Sequence, residues 1–443
     1  MPFRCVILGA AGRDFHDFQT FFRDHPEFEV VAFTAAQIPF IDKRAFPREL
    51  AGPRYAADVP IYLESELPRL VRDRAVDFVF LSYSDLSHAE VMHKASLVQS
   101  TGAGFALLGP AQTQLRSSRP VISVTAVRTG AGKSPLTQAI ARHLTGRGVR
   151  VAALRHPMPY GDLRRQAVQR FAHEADLAAA ECTIEEREEY EPYVEAGLVI
   201  FAGVDYRAVL AAAEREADVV LWDGGNNDYP FIRPDLSLVV ADALRPGHEA
   251  SYYPGETNVR MADVLVINKV GQAPPGAVEA VRRSLGLLAP QALLVEADLA
   301  IEVEQPGALR GKRVLAVEDG PTVTHGGMAF GAATVAARTH GAEAVDPRPF
   351  AVGTIAEAYA RYPHMGAVLP ALGYSEAQRQ ELRETIARAG VDLVLDGSPA
   401  RLDRFLSLAV PVVRVRYRFE QRSGPPILGR VDELLASRQR RTP

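Results

Sequence analysis

Val121-Ile-Ser-Val-Thr-Ala126, followed at once by Val127-Arg-Thr-Gly-Ala-Gly-Lys-Ser134, decides the fold. The first six residues form an apolar, β-branched run of the kind that lies inside a parallel sheet. The next eight end in Gly-x-Gly-Lys-Ser, and Pro135 leads into a helical pattern over 136–144. A strand, a glycine loop and a helix in that order make a phosphate cradle. The glycines let backbone N–H groups turn inward, the lysine reaches the β- and γ-phosphates, and the hydroxyl faces Mg2+. Arg128, Thr129, Gly130, Ala131, Gly132, Lys133 and Ser134 are the expected nucleotide-binding residues, with Ser134 as a metal ligand and Lys133 also catalytic. Val127 stands where the full motif has its first glycine, so a glycine-rich turn without a ligand is the plain alternative.

Moving outward, Val219-Val-Leu-Trp222 is a second apolar run, and it ends in Asp223-Gly-Gly. An aspartate there is placed to approach the metal shell, which makes Asp223 a metal-binding and catalytic candidate. The run over 264–267 ends in Asn268-Lys269, the first half of a purine-reading Asn-Lys-x-Asp signature, but position 271 is glycine. Without that carboxylate the site should take ATP at least as well as GTP. Arg155 and His156 follow the strand over 149–154, and Arg245 and His248 follow the one over 236–240. Two arginines and two histidines at strand ends read as an anion pocket for the acceptor, because guanidinium groups grip phosphate and carboxylate in a bidentate manner. The acidic run Cys182-Thr-Ile-Glu-Glu-Arg-Glu-Glu-Tyr-Glu-Pro192 reads as a solvated helix start or as a metal or regulatory element. Glu318-Asp319 ends a further strand, and the Gly326-Gly327 amides offer a second phosphate cradle. Gly9-Ala-Ala-Gly12 is a shortened dinucleotide fingerprint that lacks its third glycine; a polar strand-end loop with Arg13, Asp14 and His16 is the stronger reading.

The 443 residues alternate strand and helix throughout, which gives an α/β fold in three parts. Residues 1–117 form a Rossmann-like α/β domain, 118–304 a P-loop NTPase domain with a mostly parallel sheet, and 305–443 a C-terminal α/β domain. Arg116-Ser-Ser-Arg-Pro120 is the linker candidate, and the arginine-rich end over 438–443 is expected to fray. Apolar residues at 47% and charged residues at 23% describe a globular chain. A net charge of −4 gives no bulk argument for nucleic acid, and no apolar stretch is long enough for a membrane span. Cys5 and Cys182 alone point to a reducing, cytoplasmic setting. Of 50 basic residues only five are lysine, which draws attention to Lys133 and Lys269.

Five stretches occur in one order: Ile7-Leu-Gly-Ala-Ala-Gly-Arg-Asp-Phe-His16, Arg128-Thr-Gly-Ala-Gly-Lys-Ser134, Arg155-His-Pro-Met-Pro-Tyr-Gly-Asp162, Trp222-Asp-Gly-Gly-Asn-Asn-Asp228 and Val317-Glu-Asp-Gly-Pro-Thr322. Together they resemble the cyclic 2,3-diphosphoglycerate synthetase family, including bacterial relatives labelled as P-loop GTPases. The resemblance covers nearly the whole chain. It implies an ATP- and Mg2+-dependent ligase in which 2,3-diphosphoglycerate, or a related phosphorylated acid, accepts the γ-phosphoryl group and then closes an internal anhydride. Lys133, Arg128, Arg155 and Arg245 would screen the charge, Asp223 would position metal, and His156 and His248 would hold the acceptor or move protons. A homodimer is implied as well. The alternatives are a GTPase acting as a conformational switch or chaperone, and a nucleotide-sensing module.

Overall fold

The computed structural model describes residues 1–35, 44–156, 158, 161–225, 228–373 and 375–439. Tyr160 and the Asn226-Asn227 pair of the motifs above, and the tail beyond 439, lie outside the described residues.

The fold is α/β, with two large, mostly parallel sheets. The first has six strands in the order Ala45–Phe46, Val59–Leu63, Phe28–Ala35, Phe3–Leu8, Phe78–Leu81 and Gly104–Ala106. All its pairings are parallel except that of the Ala45–Phe46 edge. Phe15, Phe18 and Phe22 are fully buried beneath it, on a helix that starts as α over Arg13–Asp17 and loosens to π over Phe18–Phe22. The second sheet places Val121–Ala126 between Val219–Asp223 and Leu236–Asp242, parallel to both. All six residues of this central strand are buried, as expected for a strand covered on both faces. The helix Lys133–Gly146 seats Leu136, Ile140, Ala141 and Leu144 against the sheet, one face of a 3.6-residue period.

Beyond Val264–Asn268 the sheet does not stop. Leu293–Val303, an eleven-residue strand with no counterpart among the elements expected from sequence, pairs antiparallel with Val412–Ser423. That strand in turn joins Leu393–Gly397 and Arg313–Glu318. Residues 305–443 therefore extend the sheet that carries the phosphate loop, and the strand ends of this region are held in fixed register with the loop. The expected linker is tied down. Ser117 Oγ donates to Glu214 Oε1 at 2.8 Å, and Arg119 Nε donates to the Glu214 carbonyl at 3.2 Å.

Candidate active site

The phosphate loop is built as its sequence requires. Gly130 and Gly132 take φ of +80° and +98°, in the left-handed region that glycine enters without strain. A Cβ at Gly132 would run into the Asn268 side-chain amide. That amide donates to the Ala131 carbonyl at 2.8 Å, and Lys269 Nζ donates to the Gly130 carbonyl at 2.7 Å. Asn268 and Lys269, expected to read a purine, thus brace the loop backbone. Asp298 faces the glycine at position 271, where it accepts from the Gly271 N–H at 2.9 Å and from Arg422 Nε at 3.0 Å.

Asp223 does end its strand beside the loop, but it is saturated. Oδ1 accepts from Lys133 Nζ at 3.0 Å and Thr137 Oγ1 at 3.2 Å; Oδ2 accepts from Arg155 Nη1 at 2.8 Å and Tyr193 Oη at 2.6 Å. Burial alone would raise its pKa, yet Lys133 and Arg155 hold it down to about 2. In this state Asp223 has no lone pair to spare for a metal, so the expected metal contact requires Lys133 or Arg155 to move first. Burial also lowers the pKa of Lys133, with Arg155 acting in the same sense and Asp223 opposing.

The strand-end cations expected to form an anion pocket are engaged by protein groups in this structure. Arg155 is buried between Asp223 and Glu189, ion-paired with both. His156 Nδ1 lies 3.1 Å from Asp228 Oδ2, and its ring is wedged between Gly12 and Gly225, where a Cβ on either glycine would press on it. Arg245 Nε donates to Asp242 Oδ2 at 2.9 Å, while its other nitrogens donate to the Gly326 and Thr129 carbonyls at 2.8 Å each. It fastens the phosphate loop to the region after 305. Lys269 shares the same Asp242 at 2.9 Å. Arg128 pairs with Asp85 at 2.8 Å and stacks on Tyr252, as does His248. Every strand-end cation proposed for an anion therefore holds a carboxylate or a ring already. Gly326 and Gly327 are no second cradle, because their N–H groups donate to the Pro321 and Thr324 carbonyls.

Strand ends and helices of all parts of the chain line one cavity of about 1220 Å³. Its walls include Gly12, Arg13 and Asp14, the loop from Arg128 to Ser134, Arg155 and His156, and Glu318 and Asp319. Asp14 accepts from the Ala11 and Phe15 N–H groups at 2.7 Å each. Its carboxylate thus occupies amides that a dinucleotide would need. His16 is a core residue, stacked on Phe231 and donating from Nε2 to the Thr113 carbonyl at 2.9 Å. Burial pushes its pKa down to about 3.

The acidic run supplies what sequence reasoning missed. It is the helix Ile184–Glu195, capped by Thr183, and it is not solvated. Glu185, Glu188 and Glu189 repeat at i, i+3 and i+4 on the face that lines the cavity, while Ile184, Tyr190 and Tyr193 pack into the cores. Glu185 accepts from the Gly373 N–H at 3.0 Å, and burial lifts its pKa to about 7. Neither oxygen of Glu188, which is 5% exposed, has a hydrogen-bond donor. Beside Glu188 stands Asp319, its pKa raised by burial and by nearby Glu189. The 3.6-residue spacing of these glutamates among buried aromatics was the available signal.

The glycine loop at the centre of a mostly parallel sheet, opening on a large cavity lined by both polar and apolar groups, defines a P-loop enzyme of the kinase and synthetase class. No protein-family model matches the chain. Arginine synthetase ArcE of Thermococcus kodakarensis is 55% identical over 425 residues, covering 96% of this chain and 95% of that protein. The chain belongs to the arginine synthetase ArcE family. A tetraacyldisaccharide 4'-kinase of Anaeromyxobacter sp. is 34% identical over 228 residues, which is 46% of this chain and 58% of the kinase. The solved structure of LpxK from Aquifex aeolicus with ATP aligns at a TM-score of 0.44 and 12% identity, over 79% of this chain and 95% of that one. Of the family resemblance drawn from sequence, the P-loop synthetase part stands. The full-length relative carries the name of an arginine synthetase instead of a cyclic 2,3-diphosphoglycerate synthetase.

Proposed function

We propose that the protein is an ATP-dependent synthetase that makes arginine by replacing a ureido oxygen with nitrogen. The observation that carries this reading is the part of the cavity lining where Glu185, Glu188 and Asp319 stand in place of free cations. Such a wall suits a cationic product and repels a polyanion. It speaks against 2,3-diphosphoglycerate as acceptor, because Arg128, Arg155, Arg245 and Lys269 are already neutralised. The name and the extent of the 55% identical relative support the same product.

The residues present fit a Mg2+–nucleotide. The positive-φ glycines leave the loop backbone open, Ser134 lines the cavity, and Lys133 is within reach once it leaves Asp223. When bound, the nucleotide supplies the γ-phosphoryl group and Mg2+ screens its charge. Lys133 then steadies the charge on the transferred group, and Arg155 keeps Asp223 ionised and in place. The ureido oxygen of the acceptor takes the phosphoryl group, which turns it into a leaving group, and a nitrogen nucleophile displaces phosphate. A homodimer and a cytoplasmic setting remain part of the proposal.

The test is a substrate screen. With ATP and ammonium, citrulline (the ureido analogue of arginine) should stimulate ADP release and yield arginine. Stimulation by 2,3-diphosphoglycerate, with none by citrulline, would return the acceptor to a phosphorylated acid.

A further inference from the structure

The carboxylates of the cavity are not equivalent. Glu189 is consumed by Arg155, Glu318 accepts from the Thr334 N–H and hydroxyl at 2.8 Å each, and Glu185 accepts from Gly373. Asp319 accepts from the Thr322 hydroxyl through one oxygen. Glu188 receives no hydrogen bond from an N–H or hydroxyl group; buried and facing the cavity, it meets only another carboxyl, that of Asp319. Burial drives its carboxyl well above the ordinary range, and the Asp319, Glu185 and Glu189 charges act in the same sense. Two adjacent carboxylates without a cation cannot both ionise, so an incoming N–H cation would be strongly favoured there. Pro321, Met328, Phe330 and Leu372 complete this part of the lining. Among the described residues no group of three or more histidine, cysteine, aspartate or glutamate side chains is placed to hold a metal ion. An apolar surround with two carboxylates suits a small hydrogen-bonding cation better than a divalent metal, which needs more oxygen ligands.

We infer that Glu188 and Asp319 form the binding site for the nitrogen substrate, an ammonium ion, and that Glu188 takes its proton before attack. This rests on the synthetase reading above. Ammonium gives one proton to Glu188. The freed lone pair forms a C–N bond to the phosphorylated ureido carbon, and the C–O bond breaks with its electron pair leaving on phosphate. One nitrogen proton leaves with that phosphate, the guanidinium remains, and Glu188 returns its proton to solvent.

The experiment compares the wild type with Glu188→Gln in steady-state assays with ATP, citrulline and either ammonium chloride or hydroxylamine, which is uncharged at neutral pH. The ammonium KM should rise at least about tenfold, as for loss of a charge-assisted contact. The KM for ATP should stay within about twofold, and turnover with hydroxylamine should fall far less than turnover with ammonium, because hydroxylamine arrives uncharged and gives up no proton before attack. An unchanged ammonium KM, or equal losses with the two nucleophiles, would overturn the site. Asp319→Asn should show the same pattern and serves if Glu188→Gln does not fold. Should the wild type make no arginine at all, the synthetase reading fails, and calorimetry with guanidinium chloride then decides the site separately. Binding to the wild type that Glu188→Gln abolishes keeps it, and no binding to the wild type removes it.

Discussion

The two walls of the cavity treat charge in opposite ways. On the phosphate-loop side each cation is matched: Lys133 and Arg155 with Asp223, Lys269 and Arg245 with Asp242, Arg128 with Asp85. On the acidic-helix side Glu188 meets another carboxyl, that of Asp319, with no cation beside it, and Glu185 has one oxygen bare. The matched wall is preorganised for a nucleotide whose charge is met by one mobile lysine and the loop amides. The unmatched wall is under electrostatic tension that a cationic ligand relieves. On the proposed reading, acceptor chemistry falls to the unpaired carboxylates of the helix Ile184–Glu195, which Arg155 ties to the phosphate-loop side through Glu189.

Breaking the matched wall should have the largest effects. Lys133→Ala should lower kcat by roughly a thousandfold while leaving far-UV circular dichroism unchanged, because the ammonium is the charge delivered to the transferred phosphoryl group. Near-normal turnover in a folded Lys133→Ala protein would detach the loop from the chemistry. Arg155→Ala should act chiefly on stability. It strips a partner from the buried Asp223 and from the partly exposed Glu189, at a cost of about 3–5 kcal/mol in denaturant unfolding. A selective rise in one substrate's KM with unchanged stability would instead make Arg155 a ligand contact.

The unmatched wall predicts a smaller, pH-dependent effect. The pKa of Glu185 is raised in the folded state to about 7, so the native protein holds a proton that the unfolded chain releases near pH 4. The sign follows: this residue's contribution is neutral below the unfolded pKa and becomes increasingly unfavourable as pH rises toward 7. Glu185→Gln keeps an acceptor for the Gly373 N–H and never ionises. It should stabilise the protein by about 1–2 kcal/mol at pH 8 and by much less at pH 5, read from paired thermal unfolding curves. A stabilisation of equal size at both pH values would contradict the assignment. The smallest effect concerns the base. With glycine at 271 and Asp298 held by Arg422, ATP and GTP should differ in KM by less than about tenfold, each tenfold being 1.4 kcal/mol. A competition assay that favours GTP a hundredfold would assign Asp298 to the base.

The sequence carried the centre of this site and not its far wall. Val121–Ala126 and the helix 206–216 were legible to the residue, because a fully buried strand and an amphipathic helix each carry their own period. The strand Leu293–Val303 was not legible. Glu296, Asp298 and Glu302 interrupt its apolar run and are offset by Arg282, Arg422 and Arg418, residues from elsewhere in the chain that no local pattern reveals. The acidic helix was misread for a related reason. Glutamates at 185, 186, 188, 189 and 191 argue for solvent unless the surrounding layers are known, and here the sheet and the region after 305 enclose them. Arg155, Arg245 and Arg128 stand at the phosphate-loop side of the cavity, but the carboxylate partners of Arg128 and Arg155 lie elsewhere in the chain, at Asp85, Glu189 and Asp223, and that of Arg245 on the same turn. Residue type alone could not show that the cations were already engaged.

The central claim is that the phosphate loop passes its phosphoryl group to a ureido oxygen in the carboxylate-walled cavity. The most direct measurement uses citrulline labelled with ¹⁸O at the ureido position, with ATP and ammonium, and follows the label by mass spectrometry of the products. Transfer to that oxygen predicts one ¹⁸O in each phosphate released and none left in arginine. Unlabelled phosphate formed in step with arginine would contradict it.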